Sequence, residues 1–235
     1  MDNALGGHGS LLMLVGEPGI GKTRLSEEAG VYARLRGAQT LVGHCHETEA
    51  GLPYLPFVEA IRLYVTERPI EEVRAALGDA GSDVAKLVSE IRERIADLPP
   101  SPPGEPEQER YRLFESVTSF LINAAKAQPL LLVLDDLHWA DRPALLLLEH
   151  LARKLAGARL LVIGTYRDVE LDRRHPLGSI LADLRREHVY QRVLLKGLSS
   201  EAVAQLLAAI GQQELDPQGV ALAEAVERVT GLAPE

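Results

Sequence analysis

Hydrophobic and polar positions along the chain alternate between two rhythms. Leu11 to Val15, Leu130 to Leu134 and Leu160 to Gly164 are short apolar runs with the length and composition of strands buried on both faces. Thr40 to Gly43 and Val189 to Leu195 are more mixed and predict two further strands. Helical spacing fills the intervals. From Lys22 to Leu35, Leu25, Ala29, Val31, Tyr32 and Leu35 are expected mostly on one helical face, with Gly37 as the stop. Phe57, Ile61, Leu63, Tyr64 and Val65 predict a helix that Pro69 ends, and Val84, Leu87, Val88, Ile91 and Ile95 form an amphipathic stripe. Glu107 to Ala127 predicts a long helix with Tyr111, Phe114, Val117, Phe120 and Leu121 inward. Arg142 to Leu155 predicts another, capped by Asp141 with Pro143 in its first turn. Strand, helix, strand within some thirty residues is the signature of a parallel crossover unit. Met1 to Ser10 carries no periodicity, and Gly51 to Pro56 and Pro99 to Pro106 read as loops. Beyond Ser199, Glu201 to Ile210 and Pro217 to Val229 predict two helices of a small lobe that looks unfinished at Thr230 to Glu235.

The junction after the first strand carries the chemistry. Gly16, Glu17, Pro18, Gly19, Ile20, Gly21, Lys22, Thr23 and Arg24 follow an apolar run and open a helix, matching G-x-x-x-x-G-K-[ST]. The three glycines let the backbone curl so that successive N–H groups point inward as an anion cradle. The positive end of the helix dipole favours phosphate at the same place. Lys22 adds a mobile positive charge, and the Thr23 hydroxyl is suited to coordinate Mg²⁺ bridging phosphate oxygens. Nucleotide phosphates with Mg²⁺ are therefore expected there.

A second stretch completes the first. LLLVLDDLHWAD sets two carboxylates at the C-terminal end of a buried strand, where ligands bind in open α/β sheets. Asp135 is the candidate Mg²⁺ holder, through water, and Asp136 the candidate to polarise an attacking water. Thr165 and Arg167 follow the next strand; if that strand lies between the two motif strands, both point towards the γ-phosphate and Arg167 becomes a charge sensor. Trp139 reads as a core anchor ahead of a nucleotide-proximal wedge, because burial is the commoner use of an aromatic, and His138 as either a γ-phosphate sensor or a loop hydrogen-bonder. His44, Cys45 and His46 contain ligand types without ligand spacing: neighbours on a strand point to opposite faces, and no second His/Cys pair completes a tetrahedral site.

Composition narrows the classes. Among 235 residues, 34 acidic against 25 basic give a net charge of −9, which opposes a polyphosphate backbone, so contact with DNA is expected only through another domain of a parent protein. No apolar run approaches the roughly 20 residues needed to span a bilayer. The N-terminus lacks a signal-peptide pattern, and the single Cys45 excludes an intramolecular disulfide. A cytoplasmic protein without membrane contact is expected.

GEPGIGKTRL, LLVLDDLHWAD and GTYRD, in this order, resemble the ATPase domain of the bacterial signal-transduction ATPases with numerous domains (the STAND class), and within it the large ATP-binding LuxR-family transcriptional regulators and related cyclase-linked proteins. GHCHE and PYLPFVEAIR match the segment after the second strand, so the likeness covers nearly the whole chain. It implies an α/β P-loop NTPase fold with a five-stranded parallel sheet in order 5-1-4-3-2. The nucleotide-binding domain would cover 1–198, with a helical insert at about 53–127 and the start of a helical lid at 199–235. It also implies phosphate and Mg²⁺ binding by Lys22 and Thr23, metal support by Asp135, acid-base catalysis by Asp136, and a sensor role for Thr165 and Arg167. Two departures concern the base: a Gly-Arg-Glu entry segment that helps bind adenine is absent, and the family's Gly-Asn-Pro turn has at most TGLAPE in its place.

The resemblance implies ATP and ADP with Mg²⁺ as cofactors, and a slowly hydrolysing switch that ADP holds closed and ATP permits to self-associate. A dedicated motor ATPase or small-molecule kinase is the second reading; a kinase needs an acceptor pocket and an arginine-rich lid, and 53–106 offers no such constellation. A non-catalytic interaction module is the third, and it gives no chemical reason for Lys22, Thr23, Asp135 and Asp136 all to be present.

Overall fold

The computed structural model describes residues 1–47, 53–168 and 175–211. Five parallel strands, β1 (Ser10–Val15), β2 (Gln39–His44), β3 (Leu130–Asp135), β4 (Leu160–Tyr166) and β5 (Tyr190–Leu194), form one sheet in the order β2-β3-β4-β1-β5. Read from the other edge this is 5-1-4-3-2, with the lysine strand and the double-aspartate strand on either side of β4.

Alternation along the central strands divides the interior in two. Leu11, Met13, Leu130, Leu132, Leu134, Leu160 and Val162 face one core, built with α3 (Leu55–Glu67), α4 (Ile70–Leu77), α5 (Gly81–Leu87), α6 (Glu90–Arg94), α7 (Pro106–Ala127), α8 (Arg142–Ala152) and α9 (Pro176–Arg186). Leu14, Leu131, Val133, Leu161 and Ile163 face the other, thinner one, covered by α1 (Asp2–Leu5) and α2 (Lys22–Leu35). The last described helix is α10 (Ser200–Gly211). The helix expected at Pro217 to Val229, and the TGLAPE end, lie outside the described residues.

Four sequence expectations are revised. The face of α2 that meets the sheet is made of Ser26, Gly30 and Ala33, small enough for close approach, while Leu25, Val31, Tyr32 and Leu35 point to solvent, Leu35 at 80% exposure. The stripe from Val84 to Ile95 is buried as expected, but its helix breaks: Val88 is extended (φ −124°, ψ 96°) and Ser89 starts α6 afresh, its carbonyl accepting the Arg92 amide. Tyr111 is exposed, unlike Phe114, Val117, Phe120 and Leu121. Met1 to Ser10 contains a one-turn helix, whose Ala4 is buried and whose Asp2 pairs with Arg36 at the end of α2.

Two contacts fix the insert. The backbone at the start of α3 lies so close to β2 that a Cβ at Gly43 would collide with the Pro56 carbonyl, so only glycine is accommodated. The proline-rich segment after Leu98 is pinned: Ser82 donates to the Pro99 carbonyl at 2.7 Å, Ser101 to Asp83 at 2.6 Å, and Arg112 to the Pro102 carbonyl at 2.6 Å. Arg112 also pairs with the buried Asp83 at 3.1 Å.

Candidate functional site

The loop between β1 and α2 is shaped by Gly19 (φ 78°) and Gly21 (φ 102°), both in the left-handed region that side-chain-bearing residues rarely adopt. Gly16 is packed from the side, where an added Cβ would strike Ile20. Lys22 is buried at the first position of α2, and its ammonium bonds the carbonyls of Gly16 (2.8 Å) and Glu17 (2.9 Å), bridging the loop it must open to a phosphate. Glu17, Pro18 and Gly19 are exposed at the loop's crest. The Arg24 guanidinium pairs with Glu27 and Glu28 along the outer surface of α2, leaving the main-chain amide as its contribution to the loop.

Strand parity decides which side chains meet α2. Continuing Leu131, Val133 and Leu161, Ile163 by steps of two brings Asp135 and Thr165 to the same face of the sheet. There the Thr23 hydroxyl donates to Asp135 Oδ2 at 3.0 Å, and the Thr165 hydroxyl donates to Asp135 Oδ1 while accepting the Asp136 amide N–H at 2.9 Å. Asp135 is 6% exposed and Thr165 0%. Thr165 is thus committed to the two aspartates, and Arg167, directly after β4, is the half-buried group at that strand's tip. Asp168 pairs with Arg192 at 2.9 Å.

Asp136 leaves the strand in a left-handed conformation (φ 57°, ψ 46°), which turns the chain sharply into a short 3-10 turn, Leu137–Trp139. Non-glycine residues adopt this conformation uncommonly, at a cost the surroundings must offset. The turn is closed by Trp139 N–H to the Asp136 carbonyl (2.9 Å) and Ala140 N–H to the Leu137 carbonyl (3.1 Å). His138 is buried, its Nδ1 3.8 Å from Asp136 Oδ1, and Trp139 is partly buried against the larger core.

Asp141 occupies the start of α8 as expected, and its carboxylate also accepts the amide N–H of Tyr54 at 3.1 Å, tying the insert to the turn. Burial pushes this carboxyl above its usual range, against the hydrogen bonds it receives. Cys45 is buried, and its thiol is pushed up to about 12, first by desolvation and then by the surrounding carboxylates, Asp136 foremost. His44 bonds Glu59 and stacks on His46 at 6.1 Å between centroids, both rings exposed. A cavity of about 320 Å³ runs beside the site between α2 and the β2–β3 edge, lined by Thr23, Ser26, Val31, Arg34, Val42 and Asp135 among others.

The donor set fits a hard divalent cation: a hydroxyl and a carboxylate oxygen at contact distance beside an anion cradle suit Mg²⁺, which keeps several waters and takes few protein ligands. Loop, lysine and double aspartate are gathered at one end of a sheet whose fold is consistent with binding ATP and Mg²⁺, and the AAA ATPase domain profile matches residues 1–163. The chain belongs to the AAA ATPase domain family. This AAA ATPase domain is also similar in structure to a STAND protein with a tetratricopeptide repeat sensor from Pyrococcus horikoshii, with 15% identity and a TM-score of 0.51 over 97% of the chain. It spans 26% of that protein's length, and at this identity the likeness establishes the fold. A chain of Drosophila ORC bound to GC-rich DNA and Cdc6 aligns over 100% of this chain and 75% of its own length at 11% identity, TM-score 0.40. VirB4 of Thermoanaerobacter pseudethanolicus aligns over 90% of this chain and 83% of its own length, also at 11%, TM-score 0.37. No curated protein matches this chain. Among its described residues no helix is long and apolar enough to cross a membrane.

Proposed function

We propose that this AAA ATPase domain binds ATP with Mg²⁺ and hydrolyses it slowly, as the switch module of a multidomain signal-transduction or transcriptional regulator. The observation that carries the reading is the Thr23–Asp135–Thr165 network, which ties the phosphate-binding helix to the tips of β3 and β4. Lys22 releases the Gly16 and Glu17 carbonyls and turns to the β- and γ-phosphates, and the amides of residues 16–24 enclose them. Thr23 and Asp135 would hold Mg²⁺, which supplies charge neutralisation at the phosphate oxygens. Asp136 accepts the proton of the attacking water, and Arg167 stabilises the charge that develops on the transferred phosphoryl group.

Slow turnover follows from Asp136 itself, whose side chain is one methylene shorter than glutamate and is carried on a strained turn. An arginine donated by a second copy would raise the rate by roughly 10³ to 10⁵, and self-association in the ATP state is part of this proposal. Of Arg153 and Arg159, two candidates for that role, Arg153 is held by Glu149 and Glu187 at 2.7 and 2.8 Å and Arg159 donates to the Lys126 carbonyl. The test is phosphate release from Mg-ATP by the purified chain across a range of protein concentrations: slow release that steepens with concentration supports the switch, whereas its absence at every concentration contradicts it.

A further inference from the structure

One imidazole at the start of α9 reaches back to the turn carrying Asp136. His175 precedes Pro176, the first residue of α9, and its Nδ1 accepts the amide N–H of Leu177 at 3.2 Å, capping the helix. An accepting Nδ1 bears no proton, so the neutral ring carries it on Nε2. That nitrogen lies 2.9 Å from the main-chain carbonyl oxygen of His138, to which it donates. The Asp136 turn is therefore held at both ends: Thr165 takes the Asp136 amide in front, and His175 grips the His138 carbonyl behind.

We propose that His175 is a positioning residue for hydrolysis, fixing the left-handed Asp136 turn from the start of α9. It touches neither substrate nor reacting atoms; it acts through the backbone of Leu137 to Trp139. This inference rests on the catalytic role assigned above to Asp136. The logic is conformational: a strained backbone persists where its surroundings over-determine it, and removing one grip lets the carboxylate wander from the attacking water.

The two functions of the ring can be separated. His175→Asn keeps an acceptor at the reach of Nδ1, and asparagine is among the preferred N-caps, but it has no donor at the reach of Nε2. His175→Gln keeps a donor at the longer reach and gives up the cap. Trp139, the only tryptophan in the chain, sits in the gripped turn and reports on it without any turnover. In His175→Asn, kcat for Mg-ATP should fall by about tenfold or more. Its KM should stay at the unsubstituted value, acrylamide quenching of Trp139 should increase, and Tm should fall by no more than in His175→Gln. In His175→Gln, kcat and quenching should stay close to the unsubstituted values while Tm falls by about 2–4 °C. Unchanged kcat and quenching in His175→Asn would overturn the proposal, as would losses of kcat and Tm running in parallel through both variants. If the unsubstituted chain fails to hydrolyse ATP, the reading of Asp136 falls, and Trp139 still decides the grip: increased quenching in His175→Asn supports it and unchanged quenching refutes it.

Discussion

Thr23 and Asp135, 112 positions apart in sequence, meet through a 3.0 Å hydrogen bond from hydroxyl to carboxylate. Asp135 takes its second bond from Thr165, so the first turn of α2 and the tips of β3 and β4 form one polar assembly under the phosphate loop. A metal entering there meets oxygens already oriented.

Thr165→Val tests that assembly. Valine nearly preserves volume but removes a donor to Asp135 and the acceptor of the Asp136 amide, both at a fully buried position. Leaving such groups unsatisfied costs about 1–3 kcal/mol. Urea denaturation should register that loss together with a weaker Mg²⁺ dependence of ATP binding; equal midpoints for variant and parent would show that the network holds nothing.

Asp136→Asn keeps the side-chain shape and removes its basicity. Nucleotide affinity should remain within about twofold while phosphate release slows by roughly 10²-fold or more. A fall in affinity matching the fall in rate would move Asp136 from catalysis to binding.

The frame of this fold was legible because parallel strands buried on both faces read as unbroken apolar runs: Leu130 to Leu134 and Leu160 to Gly164 stand out without any alternation. The phosphate loop was legible because its glycines and Lys22 are contiguous. What escaped depends on contacts between distant segments. Leu25, Val31, Tyr32 and Leu35 suggested the buried side of α2, yet close approach to the sheet selected Ser26, Gly30 and Ala33. The bonds of Thr165 to Asp135 and to the Asp136 amide join two strand tips 30 residues apart and had no local signal. His175 offered one local signal, a histidine before a proline at the start of an apolar helix, and its second partner lies 37 residues away.

Asp83 supplies a pH dependence. Burial opposes its ionisation, but hydrogen bonds from Ser101 and Arg112, with the charges of Arg112 and Lys86, hold the carboxyl below its ordinary 3.8. A depressed folded-state value contributes stability that is present above the unfolded value and is lost as pH falls through the folded one. Between pH 6 and pH 3 the parent should therefore lose more of its unfolding free energy than Asp83→Asn does. Identical losses would mean that Asp83 is no better stabilised as an anion in the fold than in the unfolded chain.

Cys45 should be inert in the native state. Its thiol is buried and pushed up to about 12, so at pH 8 almost none is thiolate. Reaction with an aromatic disulfide reagent should be slow until denaturant is added and then complete; immediate labelling of the folded protein would contradict the burial of this strand end.

The central claim is that the loop around Lys22 is a working nucleotide site. Calorimetric titration of the chain and of Lys22→Ala with Mg-ATP tests it most directly. Binding in the micromolar range, about −8 kcal/mol, that disappears in the variant is the predicted result. Equal affinity in the two proteins, or no heat of binding with either, would contradict it.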